Sequence, residues 1–518
     1  MPYSDTKSDW NAKRAVHDVA AIKYEIELFL LGGEFELVED GRTVCGTDPC
    51  NALAESSYGK VILSCWAEGW SRSWRVLSCE RSVNRLSLGC TKQMGRISCM
   101  VELRRGEPEG VEELSRGEFA QYLGRLVESS VPDIVVEWAE AARDDLRHLS
   151  GNYVRMVIRE GAAGDGTTTA GVGVSPWESQ AVIDGVLGAG MVWLSALCRS
   201  RQVGGLAIFV PAGRANTIST RLTALKIGTC RVSLYEVDRE TNALTRVAPY
   251  DQGDLSDNLK RVARRAIWSR EGMLPAEVDD MVQSVVRIAP EFIEAAVHGE
   301  SVVLSIRGLD FARVAIKRRR AYFGVDGAQC LLNQGSESRL VSLVAGIIEE
   351  RSPHPRNRNS VLYRAQGERW LQSAIRQEVT RIDPGLDPRF VYCQVPAYRG
   401  EHRTFIDILT VTRTGRLVVM ELKVAEDREF PLQALDYWLR VEWHRQRNDF
   451  NRRGYFPGLK IAELPPLLYL VAPLFRFHST TAVIAGCISE RVQVYRIGIN
   501  EDWRSGPRVL LREQLNRD

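Results

Sequence analysis

Three residues on two neighbouring apolar runs have the types and spacing that chemistry needs. Asp407 interrupts FIDILTV (Phe405–Val411), and Glu421 and Lys423 interrupt RLVVMELKV (Arg416–Val424). Carboxylates facing each other inside an apolar sheet repel and lose hydration, so packing alone does not favour them. A divalent cation removes that cost: Mg²⁺ takes one or two carboxylates and fills its remaining positions with waters and substrate phosphate oxygens. Lys423 is the only Lys between Arg351 and Leu459, in a stretch that otherwise uses Arg for positive charge. A compact, rotatable ammonium whose pKa can shift is suited to activating or positioning a water.

These side chains work together only if the backbone brings them to one place. Both runs are rich in Ile, Leu, Val and Phe and are separated by Thr412-Arg413-Thr414-Gly415, which predicts two strands of a hairpin. A three-residue loop ending on a left-handed Gly fits Arg413-Thr414-Gly415. Centred on Thr414, it sets Asp407 opposite Glu421, with Lys423 on the same face. The next segment, Gln433-Ala-Leu-Asp-Tyr437, predicts a helix with Gln433 and Tyr437 on one face and Arg440 and His444 continuing the stripe.

An Asp, a Glu-x-Lys on the following strand and a Gln-x-x-x-Tyr helix together resemble the PD-(D/E)xK nuclease superfamily, and within it the RecB-type nucleases, with Ile406 standing where the motif's variable Pro would be. The resemblance covers residues 346–518 only. It implies a restriction-endonuclease-like mixed β-sheet flanked by helices, and Mg²⁺, with Mn²⁺ as a substitute, held by Asp407, Glu421 and the backbone carbonyl of Leu422. It implies that Lys423 orients the attacking water or stabilises transition-state charge, and that Gln433 fixes that water or a metal ligand. Tyr437, Arg440 and His444 would contact the nucleic-acid backbone. A further Glu from the first helix of such a core often joins the metal site, and Glu368, near the start of ERWLQSAI, fills that role. Glu378 lies ten residues later, about 15 Å along a helix axis, and cannot reach the same ion. DNA ahead of RNA, 5′-phosphate products, and repair or defence against foreign DNA follow from family habit. The rival expectation is a non-catalytic nucleic-acid-binding or assembly protein that keeps the scaffold; the intact Asp407, Glu421 and Lys423 weigh against it.

The chain as a whole is permissive. Its 518 residues allow two to four domains, and 26% charged with 44% hydrophobic residues is ordinary globular composition. A net charge of +2 says nothing about nucleic acid. Arg clusters at 351–369 and 440–453 flank the motif, and clustered Arg can neutralise phosphates. No apolar segment follows the N-terminal charges, so no signal peptide is expected, and the apolar run Ala181–Cys198, interrupted by Asp184, reads as buried rather than membrane-spanning. The eleven Cys form no CxxC pair, and the six in the first hundred residues, Cys45, Cys50, Cys65, Cys79, Cys90 and Cys99, read as small core residues of a reducing cytoplasm.

In chain order, a β-rich and then helical N-terminal module is expected over 1–160, an α/β middle region over 175–345 and the nuclease-like domain over 346–518. Strands are expected at YEIELFLL (24–31) and at successive runs to Arg104, followed by helix over 115–160. Glu102-Leu-Arg104 mimics the Glu-x-Lys signature but has no Asp at the matching place. Gly161–Val174 reads as a linker and Ser175-Pro-Trp-Glu178 as a helix-starting capping box. Leu206–Asp238 reads strand, helix, strand, and resembles Leu467–Gly498 in order and length, which suggests a degenerate second nuclease-like fold without its catalytic hairpin. Helices are expected at 258–268 and 277–289, a strand at 301–308, and a solvated basic run at Lys317–Arg320.

Overall fold

The computed structural model describes residues 19–31, 35–40, 42–45, 51–57, 60–67, 70–81, 85–92, 97–104, 114–131, 133–141, 151–161, 167–226, 230–239, 241–248, 274–298, 301–325, 330–399 and 402–517. The protein is mixed α/β with several sheets. It divides into two compact units, residues 1–113 with 176–183, and 114–175 with 184–518. The helix expected at 258–268 lies outside the described residues. Among the described residues no helix is long and apolar enough to cross a membrane.

The first unit is a helix, Val19–Leu31, and a seven-stranded antiparallel sheet running from Glu36 to Arg104. The segment 24–31, expected as a strand, belongs to the helix. Ile22, Ile26 and Phe29 are buried at helical spacing, so the 3.6-residue period rather than the two-residue alternation decides it. Cys65, Cys79, Cys90 and Cys99 are buried in the core of this sheet. Glu102 pairs with Ser87 and so has no carboxylate opposite it.

The second unit contains two mixed six-stranded sheets. The earlier half begins at helix α1 (Arg116–Ser130), followed by strands β1 (Ile134–Ala141), β2 (Tyr153–Glu160) and β3 (Thr167–Val174). Helix α2 (Val186–Leu197), strand β4 (Gly205–Pro211), helix α3 (Asn216–Leu222) and strands β5 (Arg231–Asp238) and β6 (Ala243–Val247) complete it. Two expectations are corrected here. The helix expected over 115–160 ends at Ser130, and the supposed linker contains β3, a central strand. The glycines of β3 are there for packing: a Cβ on Gly171 would lie 2.1 Å from Met156 Cγ, and one on Gly173 would lie 2.4 Å from Leu123 Cδ2. Ser175–Glu178 forms a turn, and the next helix starts at Gln180.

The later half repeats this plan. Helix α4 (Gly367–Gln377) precedes strands β7 (Leu386–Arg399), β8 (His402–Thr412) and β9 (Leu417–Leu422). Helix α5 (Phe430–Gln446), strand β10 (Leu467–Pro473), helix α6 (Thr481–Gly486) and strands β11 (Gln493–Ile499) and β12 (Val509–Gln514) follow. Each sheet runs in sequence order, with pairings antiparallel, antiparallel, parallel, parallel and antiparallel. The registers also match. Gly205 and Leu467 pair forward with Arg231 and Gln493, and backward with Thr169 and Val418.

A five-stranded antiparallel meander, Ile293 to Leu331, lies between the halves in sequence and docks on α4. Gly308, at φ +76°, lets its turn approach the Arg369 carbonyl: a Cβ there would sit 2.2 Å from that oxygen. Arg369 also meets Asp310 at 3.3 Å, and Ser373 and Gln377 meet Glu294. The basic run 317–320 is exposed at a hairpin of this meander.

Candidate active site

The site forms where the β8–β9 ladder opens. The loop is of the expected type: Thr412 N–H donates to Arg416 O, Gly415 N–H to Thr412 O, and Gly415 has φ +86°. Val411↔Leu417 through Ile408↔Met420 follow in register, so Asp407 and Glu421 come next in line. At that step the ladder is replaced. The Leu422 N–H donates to Asp407 Oδ2 at 2.9 Å, and the Asp407 carbonyl accepts from Gln372 Nε2 on α4 at 2.5 Å. Beyond the fork, Lys423 N–H continues the pairing with β10 through Val471 O at 3.1 Å.

Asp407, Glu421 and Lys423 share one face of the sheet by strand parity. Asp407 Oδ1 accepts from Gln394 Nε2 at 3.1 Å. Burial raises the Asp407 pKa above the usual carboxylate range, although the Leu422 amide, Lys423, Gln394 and Arg369 all favour its charge. Glu421 is 2% exposed, and its Oε2 is buried with no hydrogen-bond partner. Burial first, and then the Asp407 charge, push its pKa well above normal. The Lys423 ammonium lies 3.3 Å from Asp427 Oδ2 and 3.9 Å from Glu368 Oε1. Burial works against its charge, but the surrounding carboxylates, Glu421 foremost, outweigh burial and hold it a cation.

No protein-family profile, curated protein or solved structure matches the chain.

Glu368 is therefore beside Lys423 at the first turn of α4, not on a separate surface. Among the described residues no cluster of three or more His, Cys, Asp and Glu has metal-holding geometry. The expected donors, two carboxylates with the Leu422 carbonyl, would suit an ion that keeps several waters, as Mg²⁺ does. The unpartnered Glu421 oxygen fits the same reading, since a buried acceptor without a donor is costly.

Helix α5 places Gln433 and Tyr437 together: Gln433 Nε2 meets Tyr437 Oη at 3.4 Å. The other expected contacts of this helix are corrected. Arg440 is buried and donates to the Asp436 carbonyl, His444 is fully buried with Nδ1 2.9 Å from Asp449, and Tyr437 is 4% exposed. Burial also lowers the His444 pKa, which favours a neutral ring. The helix is covered on nearly every side, so its stripe faces packing rather than a duplex. One turn further on, Arg447 and Arg452 are exposed in an open cleft beside Trp443, with the Arg447 guanidinium 3.6 Å from the Trp443 ring centre. Arg351, at the edge of the other Arg cluster, is fully buried and donates to the carbonyls of Leu362, Ala365 and Arg307.

Sequence reasoning missed Gln372 and Gln394. Gln394 has φ +51° and leaves the β7–β8 ladder just where it faces Asp407, while Cys393↔Ile408 and Val395↔Ile406 pair on either side in one unbroken register. A non-Gly residue at positive φ within a strand is local backbone strain that its surroundings hold in place. Its only sequence trace is one polar residue inside VYCQVPAY.

Proposed function

We propose that the chain is a metal-dependent nuclease that hydrolyses phosphodiester bonds, DNA ahead of RNA, on a restriction-endonuclease-like core spanning α4 to β12. The observation that carries this reading is the acid pair at the fork of β8 and β9, a half-buried Asp407 and a buried Glu421 with an unpartnered oxygen, beside a lysine held cationic. Asp407, Glu421 and the Leu422 carbonyl would hold Mg²⁺, or Mn²⁺ in its place. Bound there, the ion supplies Lewis acidity toward a phosphate oxygen and lowers the pKa of its bound water.

The chain's own groups do the rest. Gln394 and the Leu422 amide hold the Asp407 carboxylate in one orientation, and Gln372 pins the backbone that carries it. The Lys423 ammonium offers a compact positive charge to the oxygens on which negative charge grows as water attacks phosphorus and the P–O bond breaks. Glu368 and Asp427 set the position of that ammonium. Arg447, stacked on Trp443, and Arg452 supply the exposed basic surface that the buried Arg440 and His444 do not. Free buried thiols are consistent with a reducing cytoplasm as the site of action.

Incubating the full chain with linear, circular and single-stranded DNA and with RNA tests this reading. Cleavage should require Mg²⁺ or Mn²⁺, stop with EDTA and be lost in Lys423→Ala. Cleavage that survives EDTA refutes the mechanism, and binding without cleavage favours the non-catalytic scaffold.

A further inference from the structure

The two halves of the second unit make a paired assembly within one chain, and only one half carries the chemical groups. Matched through the common registers, Val172 falls at the position of Glu421 and Val174 at that of Lys423. Arg155, which pairs with Val172, falls at the position of Asp407. The earlier half thus has the hairpin that the sequence did not reveal, without its acids or its lysine. Arg155 spends its charge on Glu140 and on the face of Trp193, 5.3 Å from the ring centre.

The halves meet through the same surface on each. Helix α2 packs on α6, and α5 packs on α3, so each half offers its two connecting helices to the counterpart helices of the other. At the centre, Leu225 and Ile488 form an antiparallel bridge; Lys226 N–H donates to Cys487 O, and Ser489 N–H to Ala224 O, both at 2.8 Å. Such reciprocity is the signature of an isologous interface. It is locked by Arg221, fully buried on α3, whose Nε and Nη2 donate to the two oxygens of Asp436 on α5 at 2.9 and 3.0 Å. Its Nη1 donates to the Asp184 carbonyl at 2.7 Å.

The two strands of a duplex are antiparallel, so cutting both in one encounter calls for two sites related by an approximate two-fold axis. Here the surface through which a second catalytic half would supply the other site is already filled by an inactive one. Resting on the nuclease reading above, we infer that the enzyme acts on duplex DNA as a single-site nickase: one chain breaks one strand per encounter, and the earlier half is a fixed substitute for a second catalytic subunit.

The experiment uses full-length protein and supercoiled plasmid with Mg²⁺. The open circle should accumulate almost completely before linear DNA appears, at a rate first-order in protein. Adding a tenfold excess of full-length Glu421→Gln protein, with plasmid still in large excess, should leave the rate per wild-type molecule unchanged. Linear product formed without a nicked precursor, or a several-fold loss of rate on adding the Glu421→Gln chain, overturns the inference while the nuclease reading stands. Metal-dependent cleavage confined to single strands does the same. No metal-dependent cleavage of any nucleic acid overturns both.

Discussion

Replacing Glu421 by Gln should make the metal-free protein more stable while abolishing its activity. Glu421 is 2% exposed, its Oε2 has no hydrogen-bond partner, and the second acid, Asp407, lies next in register on the opposing strand. Leaving a buried polar atom unsatisfied costs roughly 1–3 kcal/mol, and more when it is charged. The amide removes the charge and adds a donor that can face Asp407, while Asp427 and Glu368 stay beside the Lys423 ammonium, so urea unfolding in EDTA at pH 8 should show Glu421→Gln more stable by about 1–3 kcal/mol. Wild type should gain stability as Mg²⁺ is added, because an ion that binds only the folded state stabilises by mass action, and the variant should gain much less. A variant less stable than wild type in EDTA, or an equal Mg²⁺ response in both, would refute the view that the two acids are held together against their own repulsion for a cation.

Arg221→Ala leaves Asp436 buried without its bidentate partner and should cost about 3–5 kcal/mol in denaturant unfolding, whereas Arg221→Met with Asp436→Leu should recover most of the loss. Tyr469→Phe removes the donor to Asp383 Oδ2 at 2.6 Å and the acceptor for Arg512 at 2.7 Å, and should cost roughly 1–3 kcal/mol. Burial raises the Asp383 pKa, but the Tyr469 hydroxyl, the Gly385 amide and Arg512 outweigh it, and the net shift is downward. Its stabilising contribution is therefore complete above the unfolded carboxylate value, about 4, and is lost as pH falls through the lower folded value. Tyr469→Phe should accordingly move the midpoint of acid unfolding to higher pH. Gly308→Ala combines a left-handed backbone with a clash on the Arg369 carbonyl, and should lower thermal stability by more than the roughly 1–2 kcal/mol of the backbone term alone.

The local pattern at the site was legible because hairpin geometry is short-range. A three-residue loop with Gly415 at its end fixes which residue faces which, so the alignment of Asp407 with Glu421 needed no tertiary information. The strand, helix, strand order of 206–238 and 467–498 was legible for the same reason, since apolar runs and their breaks are properties of single segments. The amino-acid order also carried the mimic at Glu102, whose partner strand offers Ser87 and no acid.

What only the tertiary structure decided depends on contacts between distant segments. Gly161–Val174 reads as a linker because glycine is permissive in isolation, yet Met156 and Leu123 occupy the space that side chains at Gly171 and Gly173 would need, and Thr167–Val174 is a central strand. Arg440 and His444 sat on the same helical stripe as Gln433, but periodicity names a face without saying what covers it, and here the fold buries that face. Gln394 reaches Asp407 from a backbone position with positive φ, which a non-Gly residue adopts only when its surroundings hold it there. The matching hairpin of β2 and β3 emerged only from strand order and register, because it carries Arg155, Val172 and Val174 where the later half has Asp407, Glu421 and Lys423.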